Sequence, residues 1–218
     1  MSFAVPLMYF DGRPFTRAEA RDAGWTDNRL SKLVDTGLIR RLLHGVYVDA
    51  LAPDTIELRA AALCLVAPAD AVVCRRTAAW LYGIDAFALR ELDESPAVEC
   101  VRPIRRRATR LRPASAHSQT LHPDDVVDVL GVRVTSPLAT AVHLARHLRR
   151  PFALSAVDAM LHAELIGPAA LRAAVARYPR HPGIVQAREI AGLAEPLTES
   201  PGESWLRLRV LDAGFPRP

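Results

Sequence analysis

The stretch TDNRLSKLVDTGLIRRLLHGVYVDA, Thr26–Ala50, begins with the pattern of a helix and ends with the pattern of a β-hairpin. Thr26 is a favoured N-cap residue, and Gly37 supplies the stop of the predicted helix. The apolar positions that share one helix face are Leu30, Leu33 and Val34. The other positions are mostly polar, so the segment predicts a short helix with one solvated face.

Two β-prone runs follow this helix directly. Residues 38–43 and 46–48 flank the dipeptide His44-Gly45, which predicts a tight hairpin. Tyr47 and Val48 fall on opposite faces of the second strand, so one of them can pack under the helices.

Another predicted helix lies just upstream. In FTRAEARDAG, Thr16 and Glu19 have the spacing of a capping box, and Gly24 ends the helix. Two short helices joined by the turn at Gly24 and Trp25 are typical of a helix-turn-helix, and the hairpin would be its wing. We therefore predict a winged helix-turn-helix DNA-binding domain over residues 1–50.

The remainder of the chain predicts an α+β fold. Short strand patterns occur at 71–74, at 98–101 and around Gly131, and from Pro137 onward the pattern is helical. After the N-terminal winged helix-turn-helix we predict a mixed α/β domain with a helical C-terminal half, 54–195, and a C-terminal helix, 196–218.

The composition is that of a globular protein, with 218 residues of which 50% are hydrophobic and 24% charged. No apolar run reaches membrane-spanning length and the start lacks a signal-peptide pattern, so we predict a cytoplasmic protein without a membrane partner. Cys64, Cys74 and Cys100 match no disulfide framework, which favours buried free thiols. Lys32 is the sole lysine, and the excess of arginine and alanine reflects GC-rich codons, so the position of an arginine matters more than the number of arginines.

The polar face of the Thr26 helix carries residue types that read DNA bases. Arginine pairs with guanine and asparagine with adenine, and the first turn of a recognition helix normally does the reading. The candidate DNA-binding residues on the helix and hairpin are Asn28, Arg29, Lys32, Arg40, Arg41 and His44. The charges of residues 1–50 nearly cancel, with seven basic and six acidic residues. A solvated helix face or a protein-interaction module therefore stays open as an alternative.

A second basic segment lies in the middle of the chain. Six arginines and no acid occur in the segment, at Arg102, Arg105, Arg106, Arg107, Arg110 and Arg112. If all six neutralised phosphates, log affinity would fall with log salt at a slope of about −5. We favour a nucleic-acid-facing surface here, with a solvated loop as the alternative.

No pattern for a metal, a cofactor or catalysis is present in the sequence. His143 and His147 have helical i, i+4 spacing, but the glutamate of a zinc-protease motif and a third ligand are missing. Asp124-Asp125 is more typical of a turn than of a metal site. A Gly-rich phosphate loop and a GxSxG elbow are also absent from the sequence. We predict a protein that is not an enzyme.

Residues 15–50 resemble the N-terminal winged helix of the abortive-infection type IV antitoxins (AbiEi-type). The carriers are the helix-turn-helix and the wing motif R-x-x-x-G-V-Y, here Arg41 to Tyr47, together with VVCRRTAAWLYGID and GVRVTSPLATAVHLARHL further along. The resemblance implies an autorepressor that binds inverted repeats of double-stranded DNA in its own promoter. It also implies a cognate nucleotidyltransferase-like toxin, which an antitoxin of this type need not bind. The family helix that usually precedes FTRAEA is shortened or broken here by Pro6 and Asp11-Gly12.

The tail LTESPGESWLRLRVLDAGFPRP resembles the opening of a restriction-endonuclease-like (DUF559-type) domain. In such domains the first helix bears a metal-binding glutamate, here Glu203, and the other catalytic carboxylates lie on later strands. A lone glutamate cannot hold a catalytic metal. The alternatives are therefore a remnant or fragment of a nuclease-like protein, or a plain C-terminal helix that packs Trp205, Leu208 and Leu211 on the body.

Overall fold

The computed structural model describes residues 9–86, 97–102, 114–118 and 121–217, with the backbone alone for 114–118. These residues divide between two compact units, each of which is described by itself. The first is drawn from 1–73, 87–120 and 128–133, and the second from 74–86, 121–127 and 134–218.

The first unit begins with the 3-10 helix Tyr9–Gly12, the strand β1 at Phe15–Thr16, and the helices α1 at Arg17–Asp22 and α2 at Asp27–Asp35. The hairpin strands β2, Ile39–Leu43, and β3, Val46–Asp49, follow, and then α3, Ile56–Val66. The predicted helices and hairpin are therefore present, with ends within about two residues of the sequence pattern. The predicted shortening of the leading helix stays a prediction, because Pro6 lies outside the described residues.

N-cap hydrogen bonds determine where α1 and α2 begin. Thr16 Oγ1 accepts from the Glu19 backbone N–H at 3.1 Å, and the Glu19 carboxylate accepts from the Thr16 N–H at 2.8 Å, which confirms the capping box. The hydrogen bond from the Thr16 backbone lowers the pKa of Glu19. Thr26 caps α2 through the Arg29 N–H at 3.2 Å, as predicted. Both helices thus start where their side chains satisfy backbone donors.

The first three strands form an antiparallel sheet in the order β1-β3-β2. On one face, a cluster packs α1 and α2 on the sheet; its buried members are Phe15, Ala20, Leu30, Ile39 and Tyr47. On the other face Val46 and Val48 are fully buried, and α3 packs against all three strands. Tyr47 therefore packs under α1 and α2, as the sequence pattern predicted for one of the two residues, and Val48 is buried on the opposite face.

A five-stranded sheet has the order β6-β5-β4-β8-β7. Its strands are β4 Val72–Val73, β5 Val98–Arg102, β6 Ala114–Ser118, β7 Val126–Val129 and β8 Val132–Thr135. β4 pairs antiparallel with β5, and β5 pairs parallel with β6, which the sequence pattern did not predict. The three cysteines form no disulfide, and Cys64 is exposed, so the prediction of three buried thiols is wrong at that position.

The second unit is mainly helical. Its helices are α4 Arg75–Leu81, α5 Pro137–His147, α6 Arg150–His162, α7 Pro168–Ala176, α8 Ile184–Leu193 and α9 Pro201–Asp212. α5 lies at the centre and packs against α4, α6, α7 and α8, while α9 packs on α6. Among the described residues, no helix combines the length and the apolar character needed to cross a bilayer.

Candidate nucleic-acid interface

The outward face of α2 is polar and exposed. Leu30 is buried against the sheet, while Asn28, Arg29 and Lys32 point to solvent. Ser31 and Asp35 share this exposure. The structure therefore brings together the three candidate DNA-binding residues of the helix, two of them in the first turn.

Trp25 packs beside the start of α2. Its ring stands edge-on to Tyr9, Phe10 and Phe15, with centroid separations of 5.3, 5.3 and 5.7 Å. The side chain of Arg29 lies over the same ring. An aromatic cluster of the core thus supports one of the candidate base-reading side chains.

The hairpin separates the two neighbouring arginines, Arg40 and Arg41. Directly opposed residues of an antiparallel pair share a face, and the register pairs Arg41 with Tyr47 and Arg40 with Val48. Arg41 is therefore exposed on the face that carries the helices, with its guanidinium carbon 5.5 Å from the centroid of the Tyr47 ring. Arg40 lies on the opposite face, and its guanidinium donates to the Ala52 carbonyl at 3.0 Å.

His44 completes the predicted set at the tip of the hairpin. It is exposed and precedes Gly45, whose φ of 78° is the left-handed conformation that a tight turn requires. Of the six predicted residues, five are exposed on α2 and the hairpin, and Arg40 is half-buried against the connection to α3.

Two arginines near this surface are not among the residues that the sequence pattern predicts. Arg17 and Arg21 of α1 both bind the carboxylate of Asp27, the first residue of α2. These hydrogen bonds hold the pKa of Asp27 far below its usual range, and the same contact raises the pKa of Arg17. The i, i+4 spacing of the two arginines placed them on one helix face and was the available signal.

The second basic segment is described only at Arg102. This residue ends β5, and its guanidinium is in a partly buried ion pair with Asp70, with an N–O distance of 2.6 Å. Its charge is therefore compensated within the first unit. Arg105, Arg106, Arg107, Arg110 and Arg112 lie outside the described residues, so the nucleic-acid-facing surface proposed for this segment stays a prediction.

The histidine pair of α5 lies in the second unit. The His143 and His147 rings are 6.4 Å apart between centroids, and His143 is 1% exposed. Among the described residues, no group of three or more His, Cys, Asp or Glu side chains is arranged to hold a metal ion.

The C-terminal helix α9 uses Glu203 for its own cap. The Glu203 carboxylate accepts from the Glu199 N–H at 3.0 Å and from Ser200 Oγ at 2.8 Å. Leu208 is buried, whereas Trp205 is 39% exposed and donates to the Pro151 carbonyl at 3.1 Å. The likeness of this tail to the start of a nuclease-like domain stays a prediction.

Comparison with known proteins adds two matches to family models. Residues 71–193, more than half of the chain, match a model described as the AbiEi antitoxin C-terminal domain. Residues 9–48 match a model described as a transcriptional regulator, AbiEi antitoxin.

Similar proteins occur in Mycobacterium tuberculosis. The uncharacterized proteins MT2308 of strain CDC 1551 / Oshkosh and Rv2248 of strain H37Rv are each 35% identical over 196 residues. The aligned region covers 88% of this chain and 67% of each relative. The crystal structure of the Rv2827c protein from the same species aligns over 89% of this chain and 75% of that chain, with 15% identity and a TM-score of 0.38.

Proposed function

The chain belongs to the AbiEi antitoxin family, and from this premise we propose that it is a sequence-specific DNA-binding protein that represses its own toxin–antitoxin operon. The observation that carries the proposal is the exposed polar face of α2, which presents Asn28, Arg29 and Lys32 in the segment that matches the regulator model. Side chains of these types at the start of a helix are suited to base edges in the major groove.

We propose further that residues 9–49 act as a winged helix-turn-helix. The support is the element order β1-α1-α2-β2-β3 with a three-stranded antiparallel sheet in the order β1-β3-β2. In this arrangement α2 would enter the major groove, and Arg41 and His44 would contact the flanking backbone. Arg40 would serve the hairpin rather than the DNA, since its guanidinium is bound to the Ala52 carbonyl.

One such module makes few base contacts, so the proposed operator is an inverted repeat occupied by two copies. The proposed partner gene encodes a nucleotidyltransferase-like toxin, which this chain would counteract without an obligatory complex. No residue is proposed as catalytic, and the protein is proposed to act without a metal or cofactor in the cytoplasm.

Titration of labelled DNA tests the proposal. The duplex upstream of the gene and a shuffled duplex of the same composition are each titrated at 50 and 200 mM salt. The expected result is cooperative or two-step occupancy of the upstream duplex and weaker, strongly salt-dependent binding of the shuffled one. For variants of the candidate DNA-binding arginines, the control is Arg188→Ala, which removes an exposed arginine of α8 and so measures the effect of a general loss of charge.

Equal affinity for the two duplexes, or no binding at 50 mM salt, would contradict the proposal. Salt-insensitive capture of a protein partner without any DNA shift would instead support a protein-docking role for the same module.

A further inference from the structure

Two arginine side chains converge on one carboxylate at the junction of α1 and α2. Arg17 contacts Asp27 through Nε at 2.8 Å and through Nη2 at 2.6 Å, one nitrogen for each carboxylate oxygen. Arg21 contacts the same two oxygens through Nε at 3.2 Å and Nη2 at 2.7 Å. Both guanidinium groups therefore bind Asp27 with two parallel contacts.

Paired guanidinium forks are suited to more than a carboxylate. The planar fork matches the two oxygens of a carboxylate and of a phosphate equally well, which makes arginine the usual side chain for bidentate phosphate contacts. Arg17, Arg21 and Asp27 together thus have the geometry of an oxyanion site that is filled by a side chain of the protein itself.

The site is open to solvent. The side chains of Arg17, Arg21 and Asp27 are 52%, 56% and 42% exposed. Exposed ion pairs contribute little to stability, so an external anion can replace the carboxylate without a large loss to the fold. Two arginines against one aspartate also leave a net positive charge, which attracts an anion from solution.

The position of the site points to the ligand. Asp27 is the first residue of the nine-residue α2, and the next two residues are the exposed Asn28 and Arg29. The amino end of α2 adds oriented backbone dipoles that favour negative charge. An anion held by Arg17 and Arg21 would therefore lie beside the first turn of the helix that we propose reads DNA, where a duplex presents its phosphates.

We propose that Arg17 and Arg21 form a binding site for a phosphodiester of the DNA backbone, which Asp27 fills in the free protein and leaves when DNA binds. This inference rests on the proposed DNA-binding function. Because the phosphate is common to all sequences, the exchange sets the overall affinity for duplex DNA and leaves the discrimination between sequences to α2.

Asp27→Asn tests the exchange, with Asp35→Asn as a matched control. Asp35 is an exposed acid at the opposite end of α2, so both variants change the net charge by the same amount. We expect Asp27→Asn to bind the upstream and the shuffled duplex more tightly by a similar factor. Its slope of log affinity against log salt should be steeper by about 0.9, the contribution of one charge, because no carboxylate is released to take up a cation when the phosphate binds. Its gain should therefore shrink roughly threefold to fourfold between 50 and 200 mM salt, since 4 to the power 0.9 is about 3.5.

The double variant Arg17→Ala/Arg21→Ala shows whether the effect of Asp27→Asn depends on the two arginines. It should bind all duplexes more weakly with a shallower slope, and the addition of Asp27→Asn to it should have no more effect than the addition of Asp35→Asn. Thermal unfolding followed by circular dichroism checks that each variant remains folded.

Two results would contradict the proposed phosphate site. One is the same slope for Asp27→Asn and Asp35→Asn, and the other is a full gain from Asp27→Asn in the absence of both arginines. Either result leaves DNA binding itself intact. Failure of every variant to bind any duplex at 50 mM salt would instead remove the proposed function, and the phosphate site with it.

Discussion

The guanidinium of Arg29 lies over the indole ring of Trp25, with its central carbon 4.7 Å from the ring centroid. Trp25 is held edge-on by three other rings of the cluster, so the surface beneath Arg29 is rigid. An exposed arginine usually samples many rotamers, and the cation–π contact reduces this freedom before any ligand arrives. Arg29 is therefore the candidate base-reading residue whose geometry is best organised in advance.

Arg29→Lys should reduce sequence discrimination and leave general DNA affinity in place. Lysine keeps the charge but lacks the planar fork that pairs with guanine, so discrimination should fall by about 1–3 kcal/mol. The measurement is the ratio of the dissociation constants for the upstream and shuffled duplexes. Arg188→Lys on α8 is the control and should keep the parent ratio. Equal weakening on both duplexes would identify Arg29 as a phosphate contact instead.

Arg40 and Arg41 form a second matched pair of variants, since they are adjacent in sequence and lie on opposite faces of the hairpin. Arg41→Ala should weaken binding to every duplex and make the salt slope shallower by about 0.9. Arg40→Ala removes the hydrogen bond to the Ala52 carbonyl, so it should lower the free energy of unfolding by about 1–2 kcal/mol and keep the salt slope. Urea unfolding and DNA titration of both variants separate the two roles. A shallower slope of log affinity against log salt for Arg40→Ala would show that Arg40 contacts a DNA phosphate.

The attachment of α9 depends on a buried acid. Asp158 of α6 is 1% exposed and accepts from Ser204 Oγ at 2.6 Å, from Arg207 Nη2 at 2.5 Å and from the Glu195 N–H at 2.8 Å. Asp158→Ala leaves the buried guanidinium without its counter-charge and should cost about 3–5 kcal/mol of unfolding free energy. The measurement is urea unfolding at neutral pH.

Two controls define the cause of that loss. Asp212→Ala breaks an exposed ion pair with Arg150 that also joins α6 to α9, and it should cost little. Replacing Asp158 and Arg207 together by leucine should cost much less than Asp158→Ala alone, because no charge is left buried. A double variant as unstable as the single one would show that packing, not the unpaired charge, dominates.

The parts of the fold that sequence patterns predict are those that nearby residues determine. The Thr16–Glu19 capping box and the Thr26 cap involve residues three positions apart, and the structure confirms both. The tight turn at His44-Gly45 is equally local. Each of these features depends on backbone groups that a neighbouring side chain satisfies, so no tertiary information is needed.

The features that sequence patterns missed join distant residues. Arg102 forms an ion pair with Asp70, 32 positions away in sequence, and Arg40 donates a hydrogen bond to the carbonyl of Ala52, beyond the hairpin. Both guanidinium groups therefore already have a partner within the protein. The convergence of Arg17 and Arg21 on Asp27 depends on the angle between two helices. Charge clusters in a sequence therefore overstate the basic residues that remain available to a ligand, until packing shows which of them have acids or carbonyls as partners.

His143 makes the stability of the second unit depend on pH. The ring is buried in α5, and neither nitrogen has a hydrogen-bond partner among the described residues. Burial, followed by the nearby charges of Arg146 and Arg75, lowers the pKa of His143 to about 3. The folded protein therefore keeps the ring neutral, while the unfolded chain takes up a proton below pH 6.5. Stability is full above that pH and is lost as the pH falls, by about 1.4 kcal/mol for each unit.

Urea unfolding at pH 7.5, 6 and 5 measures this dependence. The parent should lose about 2 kcal/mol between pH 6.5 and 5 through this residue. His143→Leu has no group to protonate, so its free energy of unfolding should change little between pH 6.5 and 5. At pH 7.5 the variant should lose less than about 2 kcal/mol of unfolding free energy, because the substitution also removes two buried nitrogens that have no hydrogen-bond partner among the described residues. His162→Leu, which alters an exposed histidine of the same unit, should leave the acid loss in place. An unchanged pH dependence in His143→Leu would assign the acid sensitivity to other groups.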